Sequence, residues 1–181
     1  MQMNLPNKLT LARVVMIPVF LVVLLSGLVP EPMNRYIAVI IFIAASFTDY
    51  LDGHIARKYN LVTNFGKFMD PLADKLLVTS ALVSMVEMRE IAAWIVIIII
   101  SREFIITGFR LIAVENGVVI AASWWGKIKT VSQMVMIIIV ISSVGGAVGD
   151  VIGQALIYIS TFFTVVSGID YIVKNIDVLK G

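Results

Sequence analysis

The chain has 181 residues, of which 60% are hydrophobic and 14% are charged, and its mean hydropathy is +0.99. A chain this apolar cannot bury all its hydrophobic surface in one water-soluble core, so we expect an integral membrane protein. The lack of cysteine and the single histidine, His54, argue against a disulfide framework and a zinc centre, and a net charge of +2 gives no indication of nucleic-acid binding.

The apolar runs predict an all-α fold with six transmembrane helices in one domain, residues 1–181. A helix needs roughly 20 residues to cross about 30 Å of hydrocarbon. In chain order, the predicted spans are residues 14–30, 36–53, 68–86, 91–114, 130–149 and 151–169. The connections at 30–34, 87–90 and 145–150 contain Gly, Pro or charge and are typical of turns. We expect residues 4–11 to lie along the membrane interface before the first span.

The Lys and Arg residues predict how these helices are oriented. Ten of the fourteen flank the chain termini, the connection after the second span and the connection after the fourth, whereas Arg35 and Arg89 mark the opposite side. By the positive-inside rule, both termini are expected in the cytoplasm, in a multi-pass protein of the cell membrane.

Four aspartates lie within the second and third predicted spans. Asp49 and Asp52 are three residues apart and Asp70 and Asp74 are four apart, so each pair shares one face of its helix near the cytoplasmic end. An uncompensated carboxylate costs about 2.5–3.5 kcal/mol near the bilayer centre. Because Mg²⁺ and Mn²⁺ prefer carboxylate oxygens, we predict that the two helices face each other across a cytoplasm-facing polar cavity holding two such ions.

The residues around the aspartates indicate phosphoryl chemistry. Gly53 leaves room for a ligand, Ala56 keeps the same helix face narrow, and the Arg57 guanidinium suits a phosphate. Metal ions would neutralise a diphosphate, while Asp74 would accept the proton of an attacking alcohol. The alternative is a set of structural ion pairs in which Arg57 or Lys75 compensates an aspartate.

Basic residues near the predicted cytoplasmic ends of the helices favour a phosphorylated acceptor. We expect its phosphate to be bound by Lys75, Arg110, Lys127 and Lys129. For Lys127 and Lys129, the alternative is a role in topology alone. We expect Arg102 and Glu103, in the middle of the fourth span, to form a structural pair with neighbouring residues.

One pattern covers the acidic residues: Asp49-x2-Asp52-Gly53-x2-Ala56-Arg57-x8-Gly66-x3-Asp70-x3-Asp74. Every position matches the signature of the CDP-alcohol phosphatidyltransferases, integral membrane enzymes of phospholipid synthesis, which the chain resembles over essentially its full length. The resemblance implies that Asp49, Asp52 and Asp70 bind the metals and that Asp74 ligates the second ion and acts as general base. It also implies contacts with a CDP-lipid from Thr10, Arg13, Gly53, Ala56, Arg57 and Thr63.

The opening of the chain, Asn4-Leu5-Pro6-Asn7-x-Leu9-Thr10-x2-Arg13, is most similar to family members that join CDP-diacylglycerol to glycerol 3-phosphate. The resemblance also implies a homodimer among membrane lipids. Alternatives are another acceptor, such as serine or inositol phosphate, and a divalent cation transporter, which also places acids in a membrane. A non-catalytic scaffold would leave the cost of the aspartates unexplained.

Overall fold

A computed structural model of the protein describes residues 4–59, 63–118, 120, 121 and 123–179, and this part of the chain is helical with no strand. The helices are α1 (Leu5–Leu25), α2 (Met33–Lys58), α3 (Asn64–Glu87), α4 (Ala93–Glu115), α5 (Trp124–Ser142) and α6 (Gly146–Asn175), followed by a 3-10 turn at Ile176–Leu179. The predicted all-α class is confirmed.

Four segments in the described part of the chain are long and apolar enough to cross a membrane. They are Leu5–Leu25, Met33–Ala56, Trp124–Ser142 and Gly146–Val178. The helices α3 and α4 are not among them, because both contain too many charged residues: Asp70, Asp74 and Lys75 in α3, and Arg102, Glu103 and Arg110 in α4. The structure therefore supports four of the six predicted spans by length and composition.

The first helix begins at Leu5, so the predicted start at residue 14 and the separate interfacial segment at 4–11 were wrong. The Asn4 side chain caps the helix by accepting a hydrogen bond from the Asn7 amide at 3.0 Å, and Pro6 occupies the first turn. As a result, Asn7, Thr10 and Arg13 lie at helical spacing on one buried face of α1.

The last two helices also begin earlier than predicted. Ser123 caps α5 through the Gly126 amide at 3.1 Å, and the chain turns at Ser143 and Gly145, whose φ angles are 48° and 101°. Glycine adopts such a positive φ without steric cost. Because α6 begins at Gly146, Asp150 lies inside a helix and not in the predicted turn.

The described residues form two compact units, Met1–Glu87 and Met88–Gly181. In the first unit, α1 packs extensively against both α2 and α3, whereas α2 and α3 share a much smaller contact. The core at the α1–α2 contact includes Phe20 and Phe42, whose ring centroids are 6.2 Å apart. Most of the packing of the two aspartate-bearing helices is therefore against α1, and their own contact is small.

The second unit contains α4, α5 and α6. The long contact in this unit is between α5 and α6, where Val140 of α5 lies against Gly153 of α6, and α4 packs on α6 as well. Met136 and Ile137 of α5 and Ile157 of α6 are almost completely buried. The same buried face of α5 also carries Lys129 and Gln133, so this core contains polar groups as well as aliphatic ones.

Candidate active site

A buried arginine joins the first pair of aspartates. The guanidinium of Arg13, with no exposed surface, donates from Nη1 to Asp49 Oδ1 at 2.6 Å and from Nη2 to Asp52 Oδ2 at 2.5 Å. Its Nε donates to the Ala45 carbonyl at 3.2 Å. Since Ala45, Asp49 and Asp52 are spaced four and three residues apart, they present one face of α2 to the arginine.

Thr10 of α1 contacts aspartates of both α2 and α3. Its hydroxyl lies 2.7 Å from Asp70 Oδ1, 3.1 Å from the Pro6 carbonyl and 3.4 Å from Asp52 Oδ2. A hydroxyl has one proton, so the short contact with Asp70 is the best hydrogen bond. Thr10 thereby places a carboxylate of α3 near a carboxylate of α2.

The start of α3 is fixed against α1 by a second polar contact. The Thr63 hydroxyl donates to Asn7 Oδ1 at 2.8 Å and accepts from the Gly66 amide at 3.0 Å. A Cβ atom at Gly66 would lie 3.4 Å from Asp70 Oδ2 and from Asn7 Oδ1, so the glycine leaves space beside that carboxylate. The motif glycine therefore borders the acidic cluster.

The four predicted acids differ in exposure. Asp52 has 2% of its side chain exposed, Asp49 has 41%, Asp70 is half-buried and Asp74 is exposed. Asp52 is therefore the most buried of the four acids, and Asp74 is the most exposed.

The donor atoms fit a hard divalent cation in kind, because they are carboxylate oxygens. Among the described residues, however, no three acidic or histidine side chains converge closely enough to hold an ion as they stand. Among the described side chains, the Arg13 guanidinium is the cation in contact with Asp49 and Asp52. Of the four acids, Asp49 and Asp52 are linked by Arg13, and Thr10 brings Asp70 near Asp52.

The residues predicted to contact a CDP-lipid are not all placed alike. Thr63 is half-buried against α1, Gly53 and Ala56 are half-buried in the last turns of α2, and the Arg57 side chain lies outside the described part of the structure. Thr10 and Arg13 are fully buried and are hydrogen-bonded to the aspartates.

In the second unit, the predicted acceptor-binding residues are in different surroundings. Arg110 is exposed, with its guanidinium carbon 5.7 Å from the centroid of the Tyr171 ring, and Lys127 is exposed over Trp124. Lys129 is 5% exposed and donates to Glu103 Oε1 at 2.5 Å. In the first unit, Lys75 is half-buried on α3.

Glu103 joins two basic residues of the second unit. Its Oε1 accepts hydrogen bonds from Lys129 and, at 3.0 Å, from Arg102 Nη1. The expectation that Arg102 and Glu103 form a pair with neighbouring residues agrees with this contact.

Sequence reasoning missed two roles in the first unit. Asn7 was not predicted as a site residue, and Arg13 was not predicted as the partner of the aspartates, since the basic residues considered for that role were Arg57 and Lys75. The available signal was the spacing of Asn7, Thr10 and Arg13, which places three polar side chains on one face of an otherwise apolar helix.

Comparison with known proteins gives consistent results. The model of a family described as CDP-alcohol phosphatidyltransferase matches residues 3–166. A Bacillus subtilis (strain 168) protein named CDP-diacylglycerol--glycerol-3-phosphate 3-phosphatidyltransferase is 45% identical over 98% of this chain and 97% of its own. A Rickettsia bellii protein of the same name is 38% identical over 93% of each chain. A Mycobacterium tuberculosis protein named probable phosphatidylglycerophosphate synthase is 38% identical over 98% of this chain and 84% of its own.

Proposed function

The chain belongs to the CDP-alcohol phosphatidyltransferase family, and we propose that it transfers the phosphatidyl group of CDP-diacylglycerol to glycerol 3-phosphate. The products are phosphatidylglycerophosphate and CMP, so the enzyme is a phosphatidylglycerophosphate synthase. Relatives that share 36–45% of its residues over most of the chain carry names for this reaction. The observation that carries the proposal is the group of aspartates that α1 gathers from α2 and α3.

The roles of the aspartates follow from their exposure and their chemistry. Asp49, Asp52 and Asp70 would hold the divalent ions, Mg²⁺ or Mn²⁺ and two in number, with Asp74 as a further ligand. When bound, such ions neutralise the diphosphate and the charge that develops on the departing CMP. Asp74, the most exposed of the four, takes the proton from the acceptor hydroxyl as this oxygen attacks phosphorus and the bond to CMP breaks.

Substrate recognition is assigned to basic and small residues. Gly53, Ala56, Arg57 and Thr63 would line the binding site for the CDP-lipid. The phosphate of the acceptor would be bound by Lys75, Arg110, Lys127 and Lys129. Of these four, Arg110 and Lys127 are the exposed ones, which supports a role in capturing a soluble anion.

The membrane arrangement is also proposed in detail. Six spans, with α3 and α4 added to the four apolar ones, would place both termini and the aspartate cavity at the cytoplasmic face of the cell membrane. The distribution of Lys and Arg supports this orientation. A single domain over residues 1–181 is supported by the family match at 3–166, which includes parts of both compact units. A homodimer is proposed from the family alone.

The test is CMP release by the purified protein in detergent micelles containing CDP-diacylglycerol. We expect release only when both a divalent ion and glycerol 3-phosphate are added, with little release for serine or inositol phosphate. Asp52→Asn should abolish it, while Asp150→Asn, a matched change at an exposed acid of α6, should not. Release that prefers another alcohol would reassign the acceptor, and ion uptake by protein-containing vesicles without CMP release would indicate a cation transporter.

A further inference from the structure

Three of the four aspartates are held by α1, and each accepts its hydrogen bonds from that helix through one carboxylate oxygen only. Arg13 binds Asp49 Oδ1 and Asp52 Oδ2, and Thr10 binds Asp70 Oδ1. Among the described side chains, the other oxygen of each carboxylate accepts no hydrogen bond. One oxygen of each carboxylate is therefore held by α1, and the other is the oxygen that would contact an ion.

We infer that Arg13 and Thr10 are positioning residues for the metal ligands, and not contacts of the CDP-lipid. This inference rests on the proposed function, because it assumes that the free carboxylate oxygens bind a divalent ion. Carboxylates that bind metals are commonly oriented by hydrogen bonds from a second residue, and loss of such a residue weakens metal affinity about 10–100-fold.

Burial supports this role for the arginine. Arg13 and Thr10 have no exposed surface, so a CDP-lipid at the surface of the unit cannot reach either side chain while their present contacts persist. Arg13 also extends across to the backbone of α2, where the small residue Ala45 lets the guanidinium approach the carbonyl. A planar guanidinium bonded at three nitrogens fixes its partners in direction as well as in distance.

The charges explain why an internal cation is present. Three carboxylates from two helices repel one another, and a buried carboxylate without a partner is strongly unfavourable. Arg13 supplies one positive charge between Asp49 and Asp52, which leaves net negative charge for an incoming ion. The free oxygens do not converge in the described structure, and an ion between them would draw them together.

The experiment measures Mn²⁺ binding directly, by electron paramagnetic resonance of free Mn²⁺ titrated with chelator-treated protein in detergent, without substrates. We expect Arg13→Gln and Thr10→Val each to raise the Mn²⁺ Kd about 10–100-fold. Arg13→Lys keeps the charge but not the fork, so it should retain the fold and still bind Mn²⁺ more weakly. Matched controls are Arg35→Gln, which removes an arginine paired with exposed Glu31, and Thr161→Val, whose hydroxyl bonds within its own helix.

Kinetics separate positioning from lipid contact. At saturating Mn²⁺, the variants should keep a near-normal KM for CDP-diacylglycerol, whereas a lost lipid contact would raise that KM and leave the Mn²⁺ Kd unchanged. An unchanged or tighter Mn²⁺ Kd in Thr10→Val and in either Arg13 variant would overturn the inference, the tighter value because it would mean that Arg13 competes with the ion. If Arg13→Gln does not fold, Thr10→Val and Arg13→Lys still decide. If wild-type protein binds no Mn²⁺, the proposed function itself fails.

Discussion

Replacement of Glu103 by Gln tests the buried charges of the second unit. In the native protein, Glu103 is the shared anion of Lys129, whose side chain is 6% exposed, and Arg102, whose side chain is 14% exposed. Glu103→Gln keeps the shape of the side chain but removes the negative charge that the poorly solvated Lys129 and Arg102 share. Removing one partner of a buried ion pair costs about 3–5 kcal/mol, and because 29% of the Glu103 side chain is exposed we expect the lower end, about 3 kcal/mol.

The assay is thermal unfolding in detergent at one fixed scan rate, because membrane proteins commonly unfold irreversibly. For a chain of this size, each kcal/mol corresponds to about 2–4 °C, so Glu103→Gln should lower Tm by about 6–12 °C. Lys129→Met should cost less than half as much, because the Arg102–Glu103 pair at 3.0 Å remains. The decrease in Tm of the double variant should be smaller than the sum of the two single decreases, since both changes affect one network.

The matched control is Asp150→Asn, which neutralises an exposed acid of α6 by the same change from carboxylate to amide. Substitutions at such exposed positions usually change the free energy of unfolding by about 0.5 kcal/mol or less, so its Tm should change little. If Glu103→Gln lowers Tm no more than Asp150→Asn does, the network of Glu103, Lys129 and Arg102 carries no stability and the reasoning is wrong.

Four further outcomes are expected. Asp74→Asn should reduce kcat at least ~100-fold in the CMP-release assay if this residue is the general base, and a loss below tenfold would point to another base. Arg110→Gln and Lys127→Gln should each raise the KM for glycerol 3-phosphate with little change in kcat, and normal KM values in both would leave them as topology signals. A cysteine at Lys58 or Lys127 should react with an impermeant thiol reagent only from the cytoplasmic side, and labelling of intact cells would reverse the proposed orientation. Removing divalent ions with a chelator should abolish CMP release, and adding Mg²⁺ or Mn²⁺ should restore it; activity that survives chelation would exclude the metal-dependent reaction.

The number of helices and their order could be predicted because long apolar runs in a bilayer allow little other than helix. Their ends could not, because hydropathy does not encode caps. The start of α1 depends on Asn4 and Pro6, and the boundary between α5 and α6 depends on the positive φ angles of Ser143 and Gly145. These are single residues inside or beside long apolar stretches, so hydropathy averaged over a window of many residues does not reveal them.

The four aspartates could be found because their spacing and the motif are local in sequence. The partner of Asp49 and Asp52 could not be found in this way. Arg13 is separated from those residues by 36 and 39 positions, and only the packing of α1 against α2 brings them together. Sequence neighbours such as Arg57 and Lys75 were the natural candidates, because they lie close to the aspartates in the chain.

The position of α1 between the two aspartate-bearing helices explains how buried carboxylates are stabilised in the interior of a membrane protein when no metal ion is bound. Asp52 is 2% exposed, so its charge must be compensated from the moment the helices pack. Arg13 supplies that compensating charge, and Thr10 holds Asp70 by a hydrogen bond. Both residues are on α1, the helix that packs against α2 and α3. Compensation of the Asp52 charge then does not require a metal ion. One oxygen of each of the three carboxylates is held before an ion binds, so the ion has only to draw the other oxygens together, and less of the binding free energy is lost in ordering the side chains.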